Sequence, residues 1–183
     1  MHHVVVRRAD RRAIFREDRD REDFLASLAA LVHDRRLAVY AWALMPNHFH
    51  LLVGTAKVSL ESSMGSLLAC FAAALTSRAG AGELVPDRYQ SNVCKAERYF
   101  LEIVRYIHLN PFRGGIVGHV DELDDYAYTG HSALLASVPR DWQSTEEVLE
   151  CFGRSAGWAR AAYRKFVCEG ALPGGTRGRR RRN

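Results

Sequence analysis

The order of short and long apolar stretches constrains the fold of this chain more than any other feature. Four short stretches, rich in Val, Tyr and Trp or alternating apolar with polar residues, are typical of β-strands and lie at about 3–8, 37–44, 48–53 and 88–94. Amphipathic stretches beginning near Asp20 and after Ser59 separate the first two strands and the last two. This order predicts an α+β fold of the ferredoxin-like, split βαβ type, with helices packed on an antiparallel sheet.

A third helix is predicted after the fourth strand. It extends from about Glu97 to Leu109, with Phe100, Ile103, Val104 and Ile107 as its buried stripe. Pro111 is expected to end it, because the residue before a proline disfavours the helical conformation. Residues 116–137 are predicted to be irregular.

A short helical extension is predicted beyond this segment. Ser144 with Glu147 is typical of a capping box at the start of one helix, which Gly153 ends. Ser155 is expected to cap a second helix, which Gly170 ends. We therefore expect three parts: a catalytic domain (1–137), a helical extension (138–172) and a basic, disordered tail (173–183).

The positive charge of the chain is concentrated at one end. The formal net charge is +5, and five arginines lie between residues 177 and 182, so the remainder is neutral overall. A tail of this kind grips phosphates without sequence preference, or it is simply a solvated end that aids solubility.

Composition predicts a cytoplasmic protein with no membrane partner. No stretch reaches the roughly 20 uninterrupted apolar residues of a membrane helix, and the first residues lack the apolar core of a signal peptide. The four cysteines are far apart and form no C-x-x-C pair, so we expect free thiols rather than a zinc or redox site.

The third strand carries two histidines two positions apart. Side chains alternate between the faces of a strand, so His48 and His50 point the same way while Phe49 points the other way. Two imidazoles on one face suit two ligands of one cation, although a pair of hydrogen-bonded surface histidines has the same pattern. A metal site needs a third ligand.

The third helix offers that ligand and a nucleophile. Tyr106 and Asn110 are four residues apart and share one face. Tyr99, seven residues before Tyr106, lies on nearly the same face, and spacing alone does not choose between the two tyrosines. The alternative is a half-buried tyrosine beside an asparagine that caps the helix.

Two motifs together resemble a known family. Residues 45–53 (MPNHFHLLV) followed by residues 105–111 (RYIHLNP) resemble the signature pair of the REP-associated tyrosine transposases, which belong to the His-hydrophobe-His, single-tyrosine transposase superfamily. Supporting matches lie at 88–89, 115–117 and 126–135. The resemblance spans about residues 3–170.

The resemblance implies a function and a site. His48 and His50 would bind a divalent metal with Asn110 as third ligand, and Tyr106 would be the nucleophile. It implies Mg²⁺ or Mn²⁺, although imidazole ligands by themselves suit zinc or nickel better. The implied enzyme nicks and rejoins single-stranded, hairpin-bearing DNA through a 5′-phosphotyrosine link.

Further candidates are less specific. Tyr40 and Trp42 are candidate stacking platforms for bases, or core residues. His108 is a candidate proton shuttle for Tyr106. Residues two positions apart on a helix do not share a face, however, so a structural role is favoured. Candidate phosphate contacts, each equally an ordinary surface arginine, are Arg7, Arg8, Arg88 and Arg105.

One loop departs from the family pattern and keeps other functions open. Residues 81–87 lack the basic residues usual there, which favours, as the alternative, a domesticated hairpin-DNA-binding protein with weak or lost cleavage. A phosphodiesterase in which water attacks instead of Tyr106 is a third reading. We expect a monomer or a homodimer.

Overall fold

The computed structural model describes residues 1–7, 12–79, 89–94 and 99–172. Within these ranges the strands are β1 (His2–Arg7), β2 (Leu37–Met45), β3 (His48–Thr55) and β4 (Tyr89–Val93). The α-helices are α1 (Asp18–His33), α2 (Leu60–Ala79), α3 (Phe100–His108), α4 (Asn110–Arg113), α5 (Gly130–Leu135), α6 (Thr145–Leu149) and α7 (Ala156–Ala171). Short 3-10 turns lie at Val120–Asp124 and Glu150–Phe152.

The four strands form one sheet in the order β2-β3-β1-β4. Each neighbouring pair is antiparallel. Strands β1 and β2 are therefore parallel to each other with β3 between them, which is the split βαβ arrangement. The predicted α+β, ferredoxin-like fold with a helical C-terminal extension is confirmed.

One face of the sheet is closed by α1 and α2 over an apolar core. Val4 and Val6 of β1 are fully buried on this face, because alternate residues of a strand share a side. Four rings form an aromatic cluster with centroid separations from 4.5 to 6.3 Å: Phe15, Phe24, Phe49 and Phe71. The alternate residues of β1 and β3 therefore project from the opposite face of the sheet.

Helix α2 is unusually apolar. Over Leu60–Ser77 its length and composition would suffice to cross a membrane, a test that core helices also pass. Its residues Met64, Leu67 and Phe71 are fully buried in the core beneath the sheet. The predicted cap is present, since the Ser59 hydroxyl accepts a hydrogen bond from the Ser62 amide at 3.2 Å.

The opposite face of the sheet is covered by α3 and the helices that follow it. Their core includes Val104, Leu134 and Val167, which are almost completely buried. The predicted irregular stretch 116–137 was wrong in part, because it contains the 3-10 turn and α5. Helix α5 begins at a glycine, which disfavours helix locally, and it is held by burial against the sheet.

Helix α3 ends at His108, one residue before the predicted Leu109, but the chain does not leave the helical path at Pro111. After the cap residue Leu109 a further helical turn, α4, runs to Arg113 with Pro111 in its first turn. Proline is tolerated there because the first amides of a helix have no acceptor within it. Asn110 consequently stays close to the path that α3 sets.

The predicted starts of α1, α6 and α7 were accurate to within about two residues, whereas α3 begins at Phe100 rather than at about Glu97. Helix α1 begins at Asp18 rather than Asp20, because the Asp20 carboxylate accepts the amides of Arg16 and Glu17 and so caps a turn that starts earlier. Helices α6 and α7 follow Ser144 and Ser155 as predicted, but neither serine makes the capping hydrogen bond. Helix α7 continues past Gly170 to Ala171.

A buried polar network joins α7 to α3. The Tyr163 hydroxyl lies 2.7 Å from Nδ1 of His108 and 2.7 Å from Nδ1 of His131. His131 Nε2 donates to Asp124 at 3.1 Å, and Asp124 also accepts from Arg164 at 2.6 Å. These bonds outweigh the burial of the carboxyl group and lower the pKa of Asp124. The network fixes the helix that carries Tyr106.

Replacing Tyr163 tests this network. Tyr163→Phe would leave Nδ1 of two buried histidines without a partner, so the free energy of unfolding should fall by about 1–3 kcal/mol. Urea denaturation measures it. Tyr126→Phe, a half-buried tyrosine outside the network, is the matched control and should change stability by no more than about 0.5 kcal/mol. Equal effects of the two substitutions would contradict a stabilising network.

Candidate active site

The pairing of β1 with β3 collects polar side chains on one face of the sheet. Arg7 lies opposite His48, and Val5 lies opposite His50. Residues paired across neighbouring strands project to the same side, as do alternate residues along each strand. Arg7, His48, His50 and His3 therefore share the face over which α3 packs.

The two histidines of β3 are close and each is oriented by a neighbour. Their ring centroids are 5.1 Å apart. Nδ1 of His48 lies 2.7 Å from Oδ1 of Asn47, and Nδ1 of His50 lies 3.2 Å from Nε2 of His3. With both Nδ1 atoms engaged, each ring has Nε2 left for a ligand.

Burial keeps this pair neutral at neutral pH. Desolvation, with smaller contributions from His3, His48 and Arg7, lowers the pKa of His50 to about 3. Burial, aided by Arg7, also lowers the pKa of His48. Neutral imidazole is the form that coordinates a metal, because protonation removes the lone pair.

Helix α3 places Tyr106 beside the histidines of the same chain. The Tyr106 ring centroid lies 5.8 Å from that of His50 and 6.0 Å from that of His3. Tyr106 is 44% exposed, so its side chain is open to solvent. Tyr99 lies just before α3 begins, about 10 Å back along the helix axis. The structure brings Tyr106 to the pair.

Asn110 has both amide hydrogens engaged. Its Nδ2 donates to the carbonyl of Tyr106 at 2.8 Å and to that of Ile107 at 3.2 Å. These bonds cap the end of α3, as one sequence interpretation expected. They also direct Nδ2 to the helix backbone, so Oδ1 is the atom of this amide that remains for a ligand.

By the chemistry of its donor atoms, two imidazole nitrogens and one amide oxygen, the predicted ligand set suits a divalent cation. Among the described residues, no group of three or more His, Cys, Asp or Glu side chains is arranged to hold a metal. The predicted set of His48, His50 and Asn110 differs from such a group, because its third donor is an amide oxygen. The imidazoles by themselves suit zinc or nickel, whereas the amide oxygen suits Mg²⁺ or Mn²⁺.

The structure separates the other predicted residues by role. Arg7 lies at the site, opposite His48. Arg105 instead pairs with Glu102 at 2.5 Å and packs 4.2 Å over the Phe166 ring, where it joins α3 to α7. Arg8, Arg88, the loop 81–87 and the tail 173–183 lie outside the described residues.

Tyr40 and Trp42, the candidate stacking platforms, and His108, the candidate proton shuttle, pack against other residues of the fold. Trp42 is fully buried and its Nε1 donates to Oε1 of Gln143 at 2.8 Å, so it does not stack on a base. Tyr40 is half-buried, with its ring 5.5 Å from that of Phe100. His108 is fully buried against Tyr163, consistent with the structural role that its spacing favoured.

Three residues at the site were missed by sequence reasoning. His3 and Asn47 contact the two histidines, and the Arg113 guanidinium lies 5.8 Å from the centroid of the Tyr106 ring. Asn47 precedes His48 directly, which was the one available signal. The positions of His3 and Arg113 depend on strand register and on the continued helical path through α4, and neither is readable from spacing.

Comparison with known proteins identifies the family. The model of the family "Transposase IS200 like" matches residues 1–110, which is more than half of the chain and includes every residue of the candidate site except Arg113. The chain belongs to the IS200-like transposases, proteins that cut and rejoin DNA. The transposase family indicated by the two sequence motifs is thereby confirmed. No curated protein matches the sequence.

Two solved structures align with this chain. The structure of a REP-associated tyrosine transposase bound to a REP hairpin aligns with a TM-score of 0.57 and 18% identity, covering 78% of this chain and 82% of the other. A putative transposase from Deinococcus radiodurans R1 aligns with a TM-score of 0.42 and 20% identity, covering 58% of this chain and 86% of the other. The first similarity shows a shared fold.

The engaged amide of Asn110 yields a stability prediction. Asn110→Asp would replace the donor with a carboxylate facing two carbonyl oxygens at the negative end of α3, so stability should fall by about 1 kcal/mol. Urea denaturation of Asn110→Asp against Asn92→Asp, an exposed position on β4, measures the difference. Indistinguishable midpoints would show that the amide hydrogen bonds contribute nothing.

Proposed function

We propose that this chain is a metal-dependent transposase that nicks and rejoins single-stranded DNA, with Tyr106 as the covalent nucleophile. The observation that carries the proposal is the 5.8 Å separation between the rings of Tyr106 and His50 within one chain. At this separation, the nucleophile and the two neutral imidazoles would act on the same phosphate. One copy of the chain supplies all of these groups, so a monomer or a homodimer is compatible with activity.

The proposed metal site consists of His48, His50 and Asn110. The histidines present Nε2 and the asparagine presents Oδ1, as their hydrogen bonds require. A divalent cation, Mg²⁺ or Mn²⁺, supplies Lewis-acid polarisation of the scissile phosphate when bound there. The three residues would hold the cation near Tyr106 of α3, so their role is to fix its position.

The proposed chemical step exchanges one phosphoester for another. The Tyr106 oxygen attacks phosphorus, its proton leaves to solvent, and the bond from phosphorus to the 3′-oxygen breaks as that oxygen takes a proton from water. The products are a 5′-phosphotyrosine and a free 3′-hydroxyl. A 3′-hydroxyl from another strand reverses the step and releases Tyr106. The bond energy is conserved, so no nucleotide cofactor is consumed.

Two arginines near His48 and Tyr106 would contact the DNA phosphate. Arg7 lies opposite His48 on β1, and Arg113 lies over the Tyr106 ring, with its guanidinium also donating to the Gly170 carbonyl at 3.2 Å. Guanidinium groups pair with phosphate oxygens through several hydrogen bonds. Both arginines are exposed, and together they would hold the strand in line with the nucleophile.

We propose hairpin-bearing, single-stranded DNA as the substrate, acted on in the cytoplasm. The REP-associated transposase that shares this fold is bound to a REP hairpin. The exposed Tyr106 and the flanking arginines favour a strand that lies across the face of the sheet. A flexible single strand would reach an exposed tyrosine more easily than one enclosed in a pocket.

Covalent capture tests the nucleophile. Incubation with a labelled hairpin oligonucleotide and Mn²⁺, followed by detergent denaturation, should leave label on the protein. Tyr106→Phe should abolish this adduct, because no phenol oxygen remains near His50, while DNA binding on a native gel persists. Tyr99→Phe is the matched control and should form the adduct normally.

The same experiment separates the other functions. Cleavage with no adduct would indicate a phosphodiesterase in which water attacks. A native-gel shift with no cleavage would indicate a hairpin-binding protein that has lost activity. Either result would overturn the proposed role of Tyr106.

Calorimetric titration with Mn²⁺ tests the metal site. His48→Ala removes a first ligand, so the Kd should rise by more than the roughly 10–100-fold that loss of an outer hydrogen-bond partner causes. His119→Ala, an exposed histidine on another surface, is the control and should bind like the unmodified protein. Unchanged affinity in His48→Ala would refute the metal assignment.

A further inference from the structure

We propose that His3 and Asn47 are positioning residues that hold His50 and His48 with a proton on Nδ1, which leaves each Nε2 as a metal-binding lone pair. The inference rests on the proposed function and extends it to two residues outside the proposed ligand set. A neutral imidazole carries one proton on either nitrogen, and the tautomer decides which nitrogen binds. The hydrogen bond on the other nitrogen sets that choice.

The assignment for His48 follows from its partner. Oδ1 of Asn47 lies 2.7 Å from Nδ1 of His48. An amide oxygen only accepts hydrogen bonds, so the proton lies on Nδ1 of His48. The lone pair is then on Nε2. Because Asn47 is in the turn between β2 and β3, the backbone that starts the strand also orients its first side chain.

The contact between His3 and His50 has the geometry of an in-plane hydrogen bond. The two ring planes differ by 23° and the centroids are 5.4 Å apart, with 3.2 Å between Nε2 of His3 and Nδ1 of His50. The centroid separation is about equal to the N···N distance plus the distance from the centre of each imidazole ring to its nitrogen. The two nitrogens therefore lie close to the line joining the ring centres, where a lone pair and an N–H meet.

Either ring is able to donate in an N···N contact, and only one choice serves the site. If His50 donates from Nδ1, its Nε2 is unprotonated and available. If His3 donates from Nε2, the proton of His50 lies on Nε2 and blocks coordination. In this proposal Nε2 of His3 accepts the hydrogen bond from Nδ1 of His50, so it does not bind the cation.

The sheet fixes these partners in place. His3 and His50 lie on adjacent strands, with His50 opposite Val5, so the two imidazoles meet diagonally across the pair. His3 is half-buried and His50 is buried, which excludes most competing water from the contact. The orientation is built into the metal-free protein.

Nitrogen-15 NMR of the metal-free protein tests the tautomers directly. Long-range ¹H–¹⁵N spectra should show His48 and His50 protonated on Nδ1, while in His3→Phe the proton of His50 should move toward Nε2. Phenylalanine preserves an aromatic ring at position 3 and removes only the acceptor. A spectrum of the unmodified protein with His50 protonated on Nε2 would overturn the proposal.

Mn²⁺ affinity gives the second readout. His3→Phe and Asn47→Leu should each raise the Kd by about 10–100-fold. His3→Gln supplies a side-chain oxygen that accepts from Nδ1 and should recover most of the affinity. His2→Phe is the matched control, since His2 precedes His3 on β1 and its side chain projects to the opposite face of the sheet; its Kd should stay within about twofold.

Failure of this inference is distinguishable from failure of the proposed function. Affinity that is lost in His48→Ala but unchanged in His3→Phe would sustain the metal site and reject the role of His3. An unmodified protein that binds no Mn²⁺ would reject the function, and its NMR spectrum would still decide the tautomers. Thermal melts of each variant verify that affinity is compared between folded proteins.

Discussion

The docking of α3 on strands β2 and β3, beside the histidines of β3, is the contact on which the rest of the site depends. Tyr106 reaches the histidines only because Val104 and Ile107 are buried against the sheet. That docking is reinforced from behind, where Tyr163 of α7 hydrogen-bonds to His108 of α3. The helical extension therefore contributes to the site without touching it, since a small shift of α3 would move the phenol away from the imidazoles.

The two faces of the sheet divide structure from chemistry. On one face, Val4, Val6 and the aromatic cluster around Phe49 form a dry core beneath α1 and α2. On the other, neutral imidazoles are buried next to an exposed phenol. Burying polar rings carries a desolvation cost, which their mutual hydrogen bonds offset. The apolar core on the first face stabilises the fold, and this stability allows the second face to hold polar side chains that would bind a charged ligand.

Much of the fold was predictable because its signals are local. The run of valines in β1, the alternation in β3 and the apolar spacing in α2 specify strand and helix over a few residues. The errors arose where tertiary contacts override local preference. Helix α5 starts at Gly130 and forms through burial, and Pro111 lies in the first turn of α4, where its missing amide costs little. Neither outcome is encoded in propensity or breaker rules.

In the site, residue spacing alone puts His48 and His50 on one face of a strand, and Tyr106 and Asn110 on one face of a helix. Those facts follow from the periods of strand and helix, which are properties of a single segment. That these two faces meet, and that His3 and Arg113 join them, depends on how the whole chain packs. Strand register and helix docking are set by contacts between residues far apart in the chain. Such contacts compete with many alternatives, so spacing within one segment does not contain them.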